Sequence, residues 1–130
     1  MEPFGNRLRV LVVDDNRDAA DSLATLLRIW GHHVDVAYDG ANGLATAQSL
    51  KSQVLILDIA MPNMHGGELA ARLRNDPMFA SALIIAASAY PADDRRLDGY
   101  REHFDNFIGK PYNLAALESL LVAHVASGKQ

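Results

Sequence analysis

Short apolar runs alternate along this chain with stretches whose apolar residues recur at helical spacing. The clearest run, VLILD from Val54 to Asp58, shows no alternation of polar and apolar residues, which predicts a strand buried on both faces. Comparable runs predict four further strands, at residues 8–13, 34–38, 82–87 and 106–109. The run at 34–38 is short and alternates, so we expect it nearer an edge of the sheet.

The segments between and after these runs predict five helices. Asn16 is the expected cap of the first helix and Gly31 its left-handed stop, while Asn113 is the expected cap of the last. The other three helices are expected at about 41–51, from Gly66 to before Pro77, and at roughly 92–103. Such alternation of strands and helices dictates an α/β fold, a parallel sheet with right-handed crossovers and helices on both faces.

Composition narrows the class of protein. The chain has 130 residues, of which 49% are hydrophobic and 22% charged, as in an ordinary globular domain. Its net charge of −4 argues against non-specific binding to nucleic acid or to an anionic membrane. It has no cysteine, no apolar core of a secretory signal near its N-terminus and no membrane-length apolar stretch. We therefore expect a cytoplasmic protein.

Polar side chains follow four of the predicted strands. Asp14 and Asp15 follow the first, Asp58 ends the third, Ser88 ends the fourth and Lys110 follows the fifth. In open α/β sheets the carboxyl ends of parallel strands share one edge, where ligands and chemistry collect. Taken singly, these residues could be a solvated turn, a strand cap and a surface charge. Together they predict a site.

The chemistry of this group of residues indicates phosphoryl transfer. Three neighbouring carboxylates repel one another, so a cation is needed among them, and hard oxygen ligands suit Mg²⁺. Lys110 is a compact charge suited to a phosphate, and Ser88 offers a hydroxyl donor. A carboxylate nucleophile, a divalent metal and an ammonium group are what transfer of a phosphoryl group to an aspartate requires.

Four motifs, in this order and at this spacing, resemble one family. The motifs are VVDDN near the start, LDIAMPNMHG after the third strand, AASA at the end of the fourth and FIGKPY at the end of the fifth. They are similar to those of the receiver domain of two-component response regulators, the phosphoacceptor module of bacterial signalling. The similarity runs from Leu8 to about Val125. It implies a single receiver domain over residues 1–130, with its core at about 8–126, and a flavodoxin-like sheet of order 2-1-3-4-5.

The resemblance also implies roles for individual residues. Asp58 would be the phosphorylated aspartate, and Ser88 and Lys110 would bind the phosphoryl oxygens. Mg²⁺ would be held by Asp14, Asp15, Asp58 and the main-chain carbonyl of Ala60. The implied switch residues are Ser88 and Phe107. The Lys110–Pro111 peptide bond is expected to be cis, against the low frequency of cis X–Pro bonds.

The family's partners are expected to be a sensor histidine kinase or a histidine phosphotransfer protein, and a downstream effector on the face formed by helix 4, strand 5 and helix 5. Direct contact with nucleic acid or membrane is not expected. The chain departs from the family in two places near the site. Phe107 stands where tyrosine is usual, and His65 stands where an acidic residue is usual.

Two other functions compete with a signalling switch. A metal-dependent phosphohydrolase of the haloacid dehalogenase type also uses an aspartyl nucleophile, but it usually has a second aspartate where Ala60 stands here. A binding module that no longer accepts phosphate is the other alternative, and the intact acidic trio and Lys110 count against it. The receiver could act alone or belong to a longer regulator or hybrid kinase. Its own chemistry would be that of a phosphoacceptor rather than an enzyme.

Overall fold

The computed structural model of the protein describes residues 7–127. Its strands are β1 (Arg9–Val13), β2 (His33–Ala37), β3 (Val54–Asp58), β4 (Leu83–Ser88) and β5 (Asn106–Gly109). Its α-helices are α1 (Arg17–Ile29), α2 (Gly40–Leu50), α3 (Gly66–Arg74) and α4 (Leu114–Ala126). The first six and last three residues, which the predicted 1–130 domain includes, lie outside this description.

The five strands form one parallel sheet in the order β2-β1-β3-β4-β5. The predicted fold class, strand order and edge position of β2 are therefore confirmed. The strand β3 lies at the centre of the sheet, and all five of its residues are buried, as its unbroken apolar run predicted. The carboxyl end of this central strand is Asp58.

Two apolar clusters cover the two faces of the sheet. One cluster packs α2 and α3 against the sheet and includes the fully buried Phe79. The other packs α1 and α4 through residues such as Leu23, Leu27, Leu117 and Leu121. The expected caps also form, since the side chains of Asn16 and Asn113 accept hydrogen bonds from the main chain three residues on. The rigid sheet and its capped helices hold the loops at the carboxyl edge.

The prediction of five helices is wrong, because residues 7–127 contain four α-helices. The segment expected to be helical at roughly 92–103 forms two short 3-10 turns instead, Arg95–Leu97 and Arg101–His103. Gly99 lies between them in the left-handed region, with a φ of 83°. The Arg101 guanidinium donates to the carbonyls of Pro91, Ala92 and Asp94, three acceptors that a helix would use internally. Side-chain hydrogen bonds thus replace helical ones in this segment.

Arg74, in the last turn of α3, ties this segment to the rest of the fold. Its guanidinium donates to the carbonyls of His103, Phe79 and Ala82 at 3.0, 2.8 and 3.2 Å, and to Asp105 Oδ2 at 2.7 Å. Only a planar guanidinium can serve four acceptors placed this way. Arg74 therefore stabilises the connections that lead into both β4 and β5.

We expect the substitution Arg74→Ala to lower the free energy of unfolding by about 2 kcal/mol, since it leaves several part-buried acceptors without their donor. Arg74→Lys should recover only part of this loss, because an ammonium group cannot reach all four acceptors. Arg72→Ala, an exposed arginine of the same helix turn, should change stability by less than about 0.5 kcal/mol. Urea denaturation followed by circular dichroism measures all three. Equal losses for the two alanine variants would contradict this role of Arg74.

Among the described residues, no helix has the length and apolar character that a membrane crossing requires.

Candidate functional site

The carboxyl edge of the sheet collects the predicted site residues, because all five strands run the same way. Asp58 ends β3 and pairs with Ala87 of β4, and Ser88, the next residue, pairs with Gly109 of β5. Asp14 and Asp15 directly follow β1, the strand on the other side of β3. Lys110 directly follows Gly109, so four neighbouring strands of the sheet, β1, β3, β4 and β5, bring the predicted site residues to the same edge.

The three aspartates form a cluster. Asp14, Asp15 and Asp58 each offer a carboxylate oxygen, and these oxygens lie within 4.8 Å of one another. Asp14 and Asp58 are buried, with 1% and 6% of their surface exposed, whereas Asp15 is exposed. The cluster is therefore closed toward the sheet and open toward solvent on the Asp15 side.

Lys110 bridges the two buried aspartates. Its Nζ donates to Asp14 Oδ2 at 2.8 Å and to Asp58 Oδ1 at 3.2 Å. The Lys110–Pro111 bond is cis, as predicted. Burial by itself lowers the pKa of Lys110, but the hydrogen bond with Asp14 and the charge of Asp58 outweigh it, so the pKa is raised and the ammonium form is held.

The surroundings of Asp58 disfavour its charged form, whereas those of Lys110 favour the charged form of the lysine. Burial and the neighbouring Asp14 charge raise the pKa of the Asp58 carboxyl, and Lys110 and the Ala60 N–H, 3.4 Å from Asp58 Oδ1, counteract this only in part. The ionised carboxylate is thus poorly solvated and repelled by its neighbour. A group that adds a cation or removes this charge at Asp58 is favoured.

The loop from Asp58 to α3 is tightly packed behind the carboxylate. A Cβ added at Gly66, the first residue of α3, would lie 2.6 Å from the Asp58 carbonyl oxygen. His65, which precedes it, caps the helix, because its Nδ1 accepts hydrogen bonds from the main-chain N–H groups of Gly67 and Glu68 at 3.0 and 3.4 Å. At position 65, where the family resemblance led us to expect an acidic residue, His65 thus provides the acceptor that caps the helix.

Ser88 is directed toward the segment that follows β4. Its hydroxyl donates to Asp94 Oδ2 at 2.7 Å. Asp94 also accepts two hydrogen bonds from the Arg96 side chain, at 2.9 and 2.8 Å. The Arg96 hydrogen bonds hold the pKa of Asp94 well below its usual range against the opposing effect of burial, so this carboxylate stays ionised.

Phe107 of β5 lies on the surface beside this segment. It is 38% exposed, its ring centroid is 5.7 Å from that of Phe104, and the Arg101 guanidinium lies 5.5 Å from its ring centroid. The ring is therefore partly covered and able to gain burial.

Comparison with known proteins identifies the family. The family model of the response regulator receiver domain matches residues 10–122. The chain belongs to this family. A response regulator receiver protein of Anaeromyxobacter sp. (strain Fw109-5) is 40% identical over 103 residues, which cover 79% of this chain and 42% of that protein. Protein PilG of Pseudomonas aeruginosa is 29% identical over 127 residues, covering 98% and 94% of the two chains.

Solved structures support the same family assignment. A Vibrio cholerae chemotaxis protein superimposes with a TM-score of 0.79 at 26% identity, covering 90% of this receiver domain and 98% of that chain. The receiver domain spans less than half the length of several curated relatives that it matches. It is a receiver domain of two-component signalling.

The donor set of the receiver domain fits a divalent metal ion. Lys110 provides one positive charge for three carboxylates whose oxygens lie this close together, so the cluster can take a further cation, and all-oxygen ligation with one side open to water suits Mg²⁺. Ala60, whose carbonyl was predicted as a fourth ligand, follows Asp58 by two residues in the exposed part of the loop. The acidic cluster can therefore hold the metal that the sequence predicted.

The sequence prediction missed Asp94 and Arg96. Both lie in the polar stretch DDRR, which is typical of a solvated helix face. Only 8% of Asp94 is exposed, however, and its partner Ser88 is six residues away on another element. The one local signal was that aspartate often caps a turn, and the Asp94 side chain does accept from the Arg96 N–H at 3.0 Å.

Proposed function

We propose that this receiver domain accepts a phosphoryl group on Asp58 from the phosphohistidine of a sensor kinase or of a histidine phosphotransfer protein. The observation that carries the proposal is the placement of Asp58 at the open end of the central strand, within one acidic cluster and bonded to Lys110. Because such a phosphoryl donor depends on ATP, the proposal assigns the domain to the cytoplasm.

In the proposed reaction an Asp58 carboxylate oxygen attacks phosphorus, the P–N bond of phosphohistidine breaks, and the electron pair of that bond returns to the imidazole. Lys110 stays within reach of the transferred group, because its Nζ already contacts Asp58 Oδ1. Asp14, Asp15, Asp58 and the Ala60 carbonyl would hold Mg²⁺, which supplies charge neutralisation at the phosphoryl oxygens. Asp14 orients Lys110 through their 2.8 Å hydrogen bond.

The proposed response to phosphorylation is a switch at Ser88 and Phe107. A phosphoryl group brings new acceptor oxygens to Asp58, and the Ser88 hydroxyl moves to meet them. Phe107 then fills the space vacated near Ala89 and Tyr90. Since Phe107 is only 38% exposed, full burial adds only about 0.6–1.1 kcal/mol. That shifts a two-state equilibrium by roughly threefold to sixfold.

The readout is proposed on the face formed by the segment 89–104, β5 and α4, which corresponds to the effector face predicted from the sequence. There the effector would meet two 3-10 turns rather than a helix. Tyr90, which is 75% exposed, and Phe107 are two of the exposed apolar residues of this face that a protein effector would contact.

We expect acetyl phosphate to add one phosphoryl group to the protein in the presence of Mg²⁺ and none in excess chelator. Intact-mass spectrometry measures the product, and circular dichroism in chelator confirms that the fold persists. Labelling that is unchanged by chelator would contradict the metal-assisted mechanism. An absence of labelling by acetyl phosphate and by a phosphohistidine donor would instead support a binding module that does not accept phosphate.

A further inference from the structure

The Ser88 hydroxyl has a strong acceptor that is not part of the acidic cluster. It donates to Asp94 Oδ2 at 2.7 Å, and both residues are buried. A hydroxyl has one proton to donate, so a hydrogen bond with Asp94 excludes a simultaneous one with an oxygen on Asp58. Asp94 and a phosphoryl group are therefore alternative acceptors for the same donor.

Asp94 is held firmly in this position. The Arg96 side chain donates to both of its carboxylate oxygens, at 2.9 and 2.8 Å, and the Arg96 main-chain N–H donates to Oδ1 at 3.0 Å. The Asp94 main-chain carbonyl accepts from the Arg101 guanidinium at 3.3 Å. A bidentate arginine–carboxylate pair fixes the orientation of the carboxylate as well as its charge. When Ser88 leaves, Asp94 keeps its Arg96 partner, so no buried charge is left unpaired.

The same serine oxygen also contacts the main chain of the surface segment. The Tyr90 N–H donates to Ser88 Oγ at 3.2 Å. A movement of Ser88 toward Asp58 therefore breaks two hydrogen bonds at once, one with Asp94 and one with Tyr90. The second of these connects the hydroxyl to a residue that is 75% exposed.

We propose that Asp94 is a positioning residue that holds the Ser88 hydroxyl away from Asp58, so that the Asp94–Arg96 pair opposes phosphorylation and sets its equilibrium. This inference rests on the proposed phosphorylation of Asp58. The pair acts as a restraint on the unphosphorylated form, and its strength determines how far the phosphoryl group shifts the segment that begins at Ala89.

Beryllofluoride with Mg²⁺, a mimic of the phosphoryl group, provides the test. The substitution Asp94→Ala should tighten its binding by roughly fivefold to tenfold, since Ser88 no longer gives up a hydrogen bond to a charged partner. Asp94→Asn, which keeps the shape of the side chain, should give a smaller gain in the same direction. Asp93→Ala is the matched control, an exposed carboxylate one residue earlier, and should bind as the wild type does.

The double variant distinguishes positioning from a general structural effect. In a Ser88→Ala background, Asp94→Ala should leave the beryllofluoride affinity unchanged, because the hydroxyl through which Asp94 acts is absent. Two-dimensional NMR of the wild type, Ser88→Ala, Asp94→Ala and the double variant should show the Tyr90 amide already shifted in unliganded Asp94→Ala. Thermal melts establish that each variant is folded. If Asp94→Ala is not folded, the same comparisons are made with Asp94→Asn.

Three results would overturn the inference while leaving phosphorylation of Asp58 intact. The first is wild-type affinity in both Asp94 variants, the second is weaker binding in them, and the third is an equal gain with and without Ser88. If the wild type binds no beryllofluoride and takes no label from acetyl phosphate, the proposed function itself fails and this inference fails with it.

Discussion

Replacement of Asp58 by asparagine should abolish phosphoryl labelling completely, the largest effect that we expect from any single substitution in this domain. An amide of the same shape keeps the side chain in place but provides no carboxylate nucleophile. The other residues of the site, Asp14 and Lys110 among them, remain. The expected result with acetyl phosphate and Mg²⁺ is a single unmodified mass for Asp58→Asn beside a labelled wild type.

Loss of the fold will not explain this result. Burial and the Asp14 charge raise the pKa of Asp58 in the folded state, so the folded protein binds this proton more tightly than the unfolded chain does. The ionised carboxylate consequently costs folding free energy, and a neutral amide should leave stability unchanged or raise it. Asp98→Asn, an exposed aspartate outside the cluster, is the matched control and should label normally. Labelling of Asp58→Asn to the wild-type level would mean that another residue accepts the phosphoryl group.

The strands and the acidic cluster could be predicted because each depends on a local pattern. An apolar run such as Val54–Asp58 is buried in any parallel sheet, and parallel strands necessarily bring Asp14, Asp58 and Lys110 to one edge. No further information about tertiary contacts was needed. The helix caps at Asn16 and Asn113 could be predicted for the same reason, since a cap bonds to its own neighbours.

The segment after β4 could not be predicted in this way, because its conformation depends on partners distant in sequence. Arg74 binds the carbonyl of His103 across 29 residues, and Arg101 binds carbonyls that helical hydrogen bonds would otherwise use. Local propensity favoured a helix with a narrow apolar face. The arginine contacts and the left-handed Gly99 stabilise turns instead. The Asp94–Ser88 hydrogen bond joins residues only six apart in sequence, but it forms only once this segment has turned back onto the end of β4, so it was missed as well.

A second large effect is expected from Gly66→Ala, which tests how closely the loop packs behind Asp58. In a helix alanine is favoured over glycine by about 1 kcal/mol, so local propensity predicts a gain in stability. The structure predicts a loss, because the new Cβ would lie 2.6 Å from the Asp58 carbonyl oxygen and 2.9 Å from Ile59 Cδ1. The Asp58 carbonyl oxygen belongs to the main chain at the end of the central strand, so it cannot shift without disturbing the strand. We therefore expect the steric clash to outweigh the gain in helix propensity.

We expect Gly66→Ala to lower the free energy of unfolding by about 3 kcal/mol, the upper part of the range for overpacked sites. It should also slow labelling by acetyl phosphate, since relief of the contact displaces Asp58 from Lys110. Gly109→Ala is the matched control, because it lies one residue from Lys110 yet its Cβ would meet nothing closer than the Ser88 carbonyl oxygen at 4.0 Å. Urea denaturation and the labelling rate should both separate the two variants. If Gly66→Ala were as stable as Gly109→Ala, the loop would be free to move, and close packing behind Asp58 could not be what holds the carboxylate toward Lys110.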